Sequence, residues 1–416
     1  MHPSTSRRQQ AMALCPVLYL ALLFVVTPAA AEEDMSDWPD WLRSAMLEES
    51  KSDRTKKLKF ADNASVRLLG KPMESQALDN GWYLPTDIGS GSPVECYIFT
   101  NEPDLATTAM QLSDVNVQVV SDANGPVGNK SVYYLDAGEI DGVPYFAVDW
   151  MYTVGEESEA KAALTKVRVA VNGELVQACT HNGVGYRETL GKAFRAFVTS
   201  LDYPRTMPEP YYREVVRMSL GEQPIGLAWF SYTLDADGDT EIRYSDAQIV
   251  PVDAATVQSG DSSALSFSYP DGTLINQVSA AVENGELVTR LALSRGAENE
   301  WIVSGTFQGK ALEVTLDGAV APLSNLGQQF SAQNLLAGDA DRMAFDVWLP
   351  EADPSSFLAA VIERTNDDGL HNVRMQLGPI AMDMEVDETG SAKRGSMQAG
   401  AATVTMNRIY VDGEVR

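Results

Sequence analysis

The residues able to carry nucleophilic or acid–base chemistry are few in this chain, which has three histidines and three cysteines in 416 residues. Only Cys179 and His181 lie close together, and on a strand residues i and i+2 share a face without forming a nucleophile–base pair. No Gly-x-Ser-x-Gly motif is present, so the Ser-His-Asp chemistry of exported esterases has no support. We therefore predict no catalytic residues, and the sequence favours a protein that is not an enzyme.

Two loops have the composition of ion-binding sites without the required spacing. The acidic turn at 235–239 is similar to a calcium loop, but Gly238 precedes the third acidic residue, whereas the EF-hand glycine follows it, and the flanking segments are β-like. Residues 125–131 are glycine-rich, but Asn129 interrupts the Gly-Lys pair that a phosphate loop needs. No cysteine or histidine cluster has zinc spacing. Both segments are therefore predicted to be turns, with no metal and no cofactor.

Carboxylates are abundant, with 58 Asp and Glu against 31 Lys and Arg and a formal net charge of −27. They are scattered along the chain, which is typical of a solvated surface. A field of this sign repels nucleic acid, so no nucleic-acid partner is predicted. A pair of carboxylates could still hydrolyse a glycosidic bond, and an exported hydrolase is therefore the alternative function.

Apolar residues give the stronger indication of function. Aromatic and methionine side chains crowd the C-terminal half, and such side chains adapt to irregular ligands. An ordinary core is the simpler explanation, and the functional one is an apolar pocket inside a curled sheet. The residues predicted to bind an apolar ligand are Trp229, Phe230, Trp301, Phe345, Trp348 and Met382.

The first residues have the pattern of a secretory signal peptide. Arg7 and Arg8 precede an apolar run at 11–26, and small residues at 27–31 match a signal-peptidase site. We predict cleavage after Ala31 and export to the periplasm or outside the cell. No later run has the length of a membrane span, so no transmembrane segment is expected after cleavage.

Export places the remaining cysteines in an oxidising compartment. Cys96 and Cys179 stay in the mature chain, and two cysteines in such a compartment usually pair. We predict a disulfide between them. Two buried thiols or one reactive thiol are the alternatives.

The mature chain is too long for one ordinary core, and its patterns indicate two domains after an N-terminal helix. Residues 32–60 carry Trp38 and Trp41 at helical spacing and are predicted to form an amphipathic helix. Residues 61–202 mix short strand patterns with helices, which predicts an α+β domain with an antiparallel sheet covered by helices.

Within this α+β domain, two segments have helical periodicity, at 105–112 and 186–201. Residues 116–120 are rich in valine and are predicted to be a strand.

Residues 203–212 are the predicted linker, because three prolines within them cannot lie inside a helix or a central strand. Residues 213–416 then contain strand patterns separated by regularly spaced Asp-Gly and Asn-Gly turns. This spacing predicts a mostly antiparallel, barrel-like or curled-sheet domain. Its strand rhythm resembles that of the periplasmic half-barrel lipid carriers of the LolA/LolB type, and the resemblance implies an enclosed apolar site.

The β-rich domain contains a candidate internal repeat. Residues 216–221 and 373–378 share the pattern Val-Arg-Met-x-Leu-Gly, and a Pro-Ile pair and an acidic turn follow each copy. A twofold repeat predicts two half-sheets around an enclosed space, and chance similarity in a β-rich chain is the alternative. One short helix is predicted at 355–363, where an Asp-Pro pair marks a helix start.

Together these features predict an exported, soluble accessory or binding protein of the bacterial cell envelope. Its β-rich domain is expected to hold an apolar, lipid-like molecule or to bind a cell-envelope protein. An exported hydrolase that uses carboxylates and a structural assembly component are the alternatives.

Overall fold

The computed structural model describes residues 39–51, 53–100, 104–156, 159–204, 207–253, 255–365, 372–378, 380–400 and 402–415. The predicted signal peptide at 1–31, as well as Trp38 and His371, lie outside the described residues. Within them the chain is mostly antiparallel β-sheet, as predicted. The described helices are α1 (Asp40–Met46), α2 (Leu105–Asn124), α3 (Arg187–Thr199) and α4 (Asn325–Ala337). None of these helices is long and apolar enough to cross a membrane.

The N-terminal half contains a β-hairpin and an eight-stranded sheet. The hairpin strands are β1 (Thr55–Ala61) and β2 (Ala64–Leu69). The sheet strands are β3 (Lys71–Pro72), β4 (Gln76–Leu78), β5 (Gly81–Asp87), β6 (Val94–Phe99), β7 (Val127–Ile140), β8 (Val143–Val154), β9 (Lys161–Asn172) and β10 (Leu175–His181). Their order is β3-β5-β6-β10-β9-β8-β7, with β4 paired to β5.

Helices cover both faces of the eight-stranded sheet, because strand side chains alternate between two apolar faces. On one face, Phe194 and Phe197 of α3 pack with the hairpin and with the buried Cys96. On the other face, Leu105 and Val117 of α2 pack against the even-numbered apolar residues of β8. The helix-covered antiparallel sheet agrees with the α+β prediction for this part of the chain.

The predicted disulfide joins the two cysteines within the sheet. Cys96 of β6 lies directly opposite Cys179 of β10, with their Cα atoms 4.1 Å apart and a sequence separation of 83. Both cysteines are fully buried under α3. The disulfide therefore fastens two neighbouring central strands.

Two expectations for this half were wrong. Residues 116–120 lie inside α2, because inward-facing residues at helical spacing, among them Ala109, Ser113 and Val117, outweigh the β-propensity of its valines. The predicted helix at 32–60 is much shorter where it is described: α1 ends at Met46, and residues 55–60 belong to strand β1.

The C-terminal half is one sheet of 14 antiparallel strands. They are β11 (Tyr212–Leu220), β12 (Gln223–Leu234), β13 (Thr240–Pro251), β14 (Val257–Ser268), β15 (Leu274–Glu283), β16 (Glu286–Arg295), β17 (Trp301–Phe307), β18 (Lys310–Leu316), β19 (Arg342–Val347), β20 (Leu358–Arg364), β21 (Asn372–Leu377), β22 (Ile380–Val386), β23 (Ala392–Ala399) and β24 (Ala402–Gly413). The last strand, β24, pairs with the first, β11, so that β18 and β19 form the two edges of the sheet.

Helix α4 lies against one face of this sheet, which we call the inner face. Leu326 at its start packs with Tyr212 and Tyr232, and Leu335 near its end packs with Ile362 of β20. Since these strands belong to distant parts of the sheet, the sheet curls around the helix. The Ser324 hydroxyl begins α4 by accepting the Gly327 N–H at 3.3 Å.

Sequence reasoning missed α4 and placed a helix at 355–363 instead, which is wrong. Residues 358–364 form β20, in which Ala360 and Ile362 are buried at alternating positions. The Asp353 carboxylate accepts the Ser355 and Ser356 hydroxyls at 2.6 Å, so it closes a turn rather than capping a helix.

The two segments of the predicted repeat form hairpins with similar turns. Gly221 and Gly378, with φ of +60° and +54°, connect β11 to β12 and β21 to β22. In the next turns, Asp235 and Asp387 each accept two backbone N–H groups through Oδ1, at distances between 2.9 and 3.2 Å. The internal repeat itself stays a prediction.

The two halves share one apolar cluster. Leu227, Ala247 and Ile249 of the 14-stranded sheet pack into the same buried cluster as α2 and the eight-stranded sheet. These residues lie on the outer face, opposite α4, because strand side chains alternate. The predicted linker, described at 203–204 and 207–212, connects the halves, and its last residue belongs to β11. The division into two domains stays a prediction.

Candidate binding cleft

A cleft of about 1280 Å³ lies between the two sheets. Its floor is the outer face of β11 to β16, and helix α2 forms one wall. Two tight turns of the eight-stranded sheet, at 141–143 and 172–174, lie along another side. Proline residues of the predicted linker, including Pro204 and Pro208, complete the lining.

The turn between β7 and β8 shows how the sequence fixes this boundary. Gly142 has a φ of +81°, which side-chain-bearing residues rarely adopt. A Cβ atom at this position would also lie 2.5 Å from ring carbons of Tyr410 on β24. Glycine is therefore required for the backbone conformation and for the close contact between the halves.

One row of side chains crosses the floor of the cleft. Directly paired positions on five neighbouring strands share a face, and here the middle three are small. The row consists of Trp229, Ser245, Ser263, Ala280 and Arg290. Small residues between a tryptophan and an arginine leave a shallow channel across the sheet.

Large apolar side chains line the cleft while remaining accessible to solvent. Val115 of α2 is 58% exposed, and Val278 and Leu287 on the floor are 44% and 57% exposed. Single exposed apolar residues are normal on a protein surface. Three of them around one concavity mark a surface suited to an apolar ligand or partner.

The arginines in the cleft differ in their partners. Arg213 forms an ion pair with Asp412, and Arg243 forms one with Glu241, both at 2.6 Å. Arg290 is exposed and has no ion-pair or hydrogen-bond partner in the described part of the chain. Arg290 is therefore available to a ligand.

A carboxylate of the floor holds the α2 wall in place. Asp261 on β14 accepts the backbone N–H groups of Ala106 and Thr107, both at 2.8 Å. These N–H groups belong to the first turn of α2, where no intrahelical acceptor exists. Burial raises the pKa of Asp261 to about 7, although both N–H groups favour the charged form. Asp104, the residue preceding the helix, makes no side-chain cap.

The structure brings only some of the predicted ligand residues together. Trp229 lines the cleft on the outer face, whereas Phe230 is paired with Glu214 and packs on the inner face with Tyr212 and Tyr232. Trp301 and Trp348 are buried in one cluster beneath β15 to β18. Phe345 and Met382 belong to two other clusters on the inner face. A ligand-binding role for these six residues stays a prediction.

Sequence reasoning missed Val115, Val278, Leu287 and Arg290. An exposed valine on a strand has the same local pattern as a buried one until the face covered by other elements is known. The only signal available was alternation within β15 and β16, which separates the two faces without identifying the exposed one.

Other titratable groups are buried outside the open part of the cleft. Lys166 and His181 lie under α3, and burial lowers the pKa of Lys166 to about 7 and that of His181 to about 3. The His181 Nε2 atom lies 3.1 Å from the Ser90 hydroxyl. Cys179 cannot act as a nucleophile beside His181 because it is disulfide-bonded. Within the described residues, no group of three or more His, Cys, Asp or Glu side chains could hold a metal ion.

Glu214 also lies in the lining of the cleft and has a strongly raised pKa. Burial raises the pKa of Glu214 to about 7, and the Tyr212 hydroxyl donates to it. Alternation places its side chain on the inner face with Tyr212, away from the open floor. It therefore does not form a carboxylate pair across the cleft.

No protein-family model matches the chain, and a search of curated protein sequences gives no match. One similar solved structure is a β-barrel-like protein of the domain of unknown function DUF1849 from Brucella abortus, with 13% identity and a TM-score of 0.39 over 49% of this chain and 97% of that one. A DUF1089-family protein from Pseudomonas aeruginosa has 14% identity and a TM-score of 0.26, over 46% of this chain and 92% of that one. Cyanobacterial PsbP from Synechocystis has 13% identity and a TM-score of 0.25, over 35% of this chain and 91% of that one.

Proposed function

We propose that this protein is an exported binding protein of the bacterial cell envelope that holds an apolar ligand in the cleft between its two sheets. The observation that carries the proposal is the exposure of Val115, Val278 and Leu287 around a concavity of about 1280 Å³. The signal-peptide pattern at 1–31 supports export. The site thus differs from the expected pocket inside the curled sheet, where α4 packs against the inner face.

The size and the lining of the cleft support this proposal. Small-molecule sites are concave, mostly apolar, and contain a few polar groups that fix orientation. Here apolar side chains from α2 and from the floor surround Ser245 and Ser263, with Trp229 and Arg290 at the two ends of the row. Removing the exposed apolar surface from water would stabilise a bound apolar molecule.

Titration with the neutral fluorophore N-phenyl-1-naphthylamine tests the proposal on the mature protein. We expect saturable fluorescence enhancement, and we expect Ala280→Trp to weaken binding at least about tenfold, equal to about 1.4 kcal/mol, because the indole fills the channel. Ala344→Trp, on the exposed surface of β19, is the matched control and should bind as the unmodified protein does.

Circular dichroism must show that both variants retain the native fold. The absence of saturable binding, or equal binding by the Ala280→Trp variant, would overturn the proposal. If the protein binds the probe, native mass spectrometry and organic extraction of protein purified from a periplasm would identify its natural ligand.

A further inference from the structure

We infer that the ligand of the cleft is a single-chain amphipathic anion, with its charged end on Arg290 and its chain lying along the small-residue row towards Trp229. The inference rests on the proposed binding function and specifies the class of ligand. It uses the register of five strands, the accessibility of Arg290 and the pairing of the other cleft arginines.

The register places Arg290 at one end of the row. Arg290 is directly opposite Ala280, and the cross-strand pairing continues through Ser263 and Ser245 to Trp229. With strands about 4.8 Å apart, four steps span about 19 Å. A channel of this length suits one extended acyl chain rather than a compact ring system.

The sides of the channel are apolar next to Arg290. Leu265 and Val278 flank the row on one side, and Val282 lies on the other, where it is paired with Leu287. Ser263 and Ala280 carry too little side chain to fill the space between them. A methylene chain lying there would contact apolar atoms on both sides and bury part of the exposed surface of Val278.

Arg290 is suited to bind the charged end. Its guanidinium has no partner in the described part of the chain, whereas the guanidinium groups of Arg213 and Arg243 are already held by carboxylates. Arginine binds carboxylate and phosphate oxygens through two parallel N–H donors. An arginine that has no partner among the described residues and lies beside an apolar channel therefore fits an anionic headgroup.

The net charge of the protein makes a local cation important for an anionic ligand. At a formal net charge of −27, the protein repels anions over long distances, whereas an uncharged ligand would need no cation in the cleft. A local arginine compensates for that repulsion at one point. The headgroup can be a carboxylate or a phosphate, since both present the same pair of acceptor oxygens.

The test compares four ligands with the same chain on the full mature protein. Dodecanoate, dodecyl phosphate, dodecanol and dodecyltrimethylammonium are each titrated against bound N-phenyl-1-naphthylamine, at concentrations below those at which they form micelles. We expect the two anions to bind most tightly, and the stronger of the two identifies the headgroup. Arg290→Glu should weaken both anions by at least about tenfold, equal to about 1.4 kcal/mol, and change dodecanol by less than about twofold.

Arg342→Glu is the matched control, because Arg342 is an exposed arginine at the start of edge strand β19 and its substitution makes the same change in charge. It should leave all four affinities unchanged. Equal binding of dodecanol and dodecanoate with no effect of Arg290→Glu would overturn the anion inference while leaving the binding function intact. Failure of all four ligands to displace the probe would overturn both.

Discussion

Buried carboxyl groups occur in both sheets, but their surroundings are opposite in kind. In the eight-stranded sheet, Asp149 is fully buried and forms ion pairs with Arg168 at 2.6 Å and Arg187 at 2.8 Å. Burial opposes its ionisation, but the two arginines outweigh burial and lower the pKa of Asp149. This carboxylate therefore stays charged inside the protein.

In the 14-stranded sheet, the buried carboxyls have mainly neutral donors. The Tyr244 hydroxyl donates to Asp246 at 3.1 Å, the Ser262 hydroxyl also donates to it, and burial raises its pKa to about 6. Asp261 is bound by backbone N–H groups and likewise has a raised pKa.

The comparison shows that burial alone does not determine the state of an acid. Hydroxyl and amide donors compensate for part of the lost hydration, whereas an adjacent guanidinium compensates for more of it. The eight-stranded sheet therefore contains a permanent internal ion cluster. The 14-stranded sheet contains acids that titrate near neutral pH.

Removing the acid of the ion cluster should have the largest effect. Asp149→Ala leaves the buried Arg168 without its partner, and we expect the free energy of unfolding to fall by about 3–5 kcal/mol. Urea denaturation measures this change. Asp412→Ala breaks the more exposed pair with Arg213 and should cost about 0–1 kcal/mol. Equal costs for the two substitutions would contradict the proposed difference between buried and surface pairs.

Asp246 should give an intermediate effect that depends on pH. Its raised pKa means that it contributes stability below the unfolded pKa of about 4, and this contribution is lost as pH rises through about 6. Asp246→Asn removes the titration. Between pH 4 and pH 8, the free energy of unfolding of the Asp246→Asn variant, relative to that of the unmodified protein, should therefore rise by about 2–3 kcal/mol.

Thermal or urea unfolding at a series of pH values measures the Asp246 effect. Asp253→Asn, at an exposed carboxyl whose pKa is lowered by the N–H groups of Ala255 and Thr256, is the control and should not alter the profile above about pH 5. A pH-independent difference for Asp246→Asn would show that folding does not raise the pKa of this carboxyl.

The smallest effect is expected at the start of α2. Asp261→Ala removes the acceptor of two helix N–H groups and should destabilise the helix by about 1 kcal/mol. Hydrogen exchange at Ala106 and Thr107 reports the loss directly. Asp104→Ala changes the residue at the usual capping position, where the side chain makes no cap, and should have less effect. A larger effect of Asp104→Ala than of Asp261→Ala would show that Asp261 does not stabilise the start of α2.

Sequence patterns predicted the mostly antiparallel β-sheet and the cysteine pair, because the first depends on local periodicity and the second on simple counting. They failed where long-range packing overrides a local preference. The valines near Val117 have β-propensity, but the whole of 105–124 presents an apolar stripe to two sheets at once. Helix α4 gave little sequence signal because its ends pack against different parts of a curled sheet.

The site was harder to predict than the fold. Trp229 was identified because tryptophan is conspicuous in a strand, and it does line the cleft. Arg290 could not be assigned to the site because its place in the row depends on its pairing with Ala280. That strand register is set by hairpin geometry rather than by residue type. Likewise, the ion pair of Arg213 with Asp412 joins residues that lie far apart in the sequence.

The contact between Asp261 and α2 also bears on how the chain acquires its structure. The acceptor for the Ala106 N–H lies 155 residues further along the polypeptide. During synthesis from the N-terminus, the residues of α2 are therefore available long before Asp261, which accepts their N–H groups. Part of the apolar surface of α2 also stays uncovered until Ala247 and Ile249 have been synthesised. We expect folding to be slow and late, since such distant contacts close large loops. A fragment ending before β11 should remain a client of chaperones.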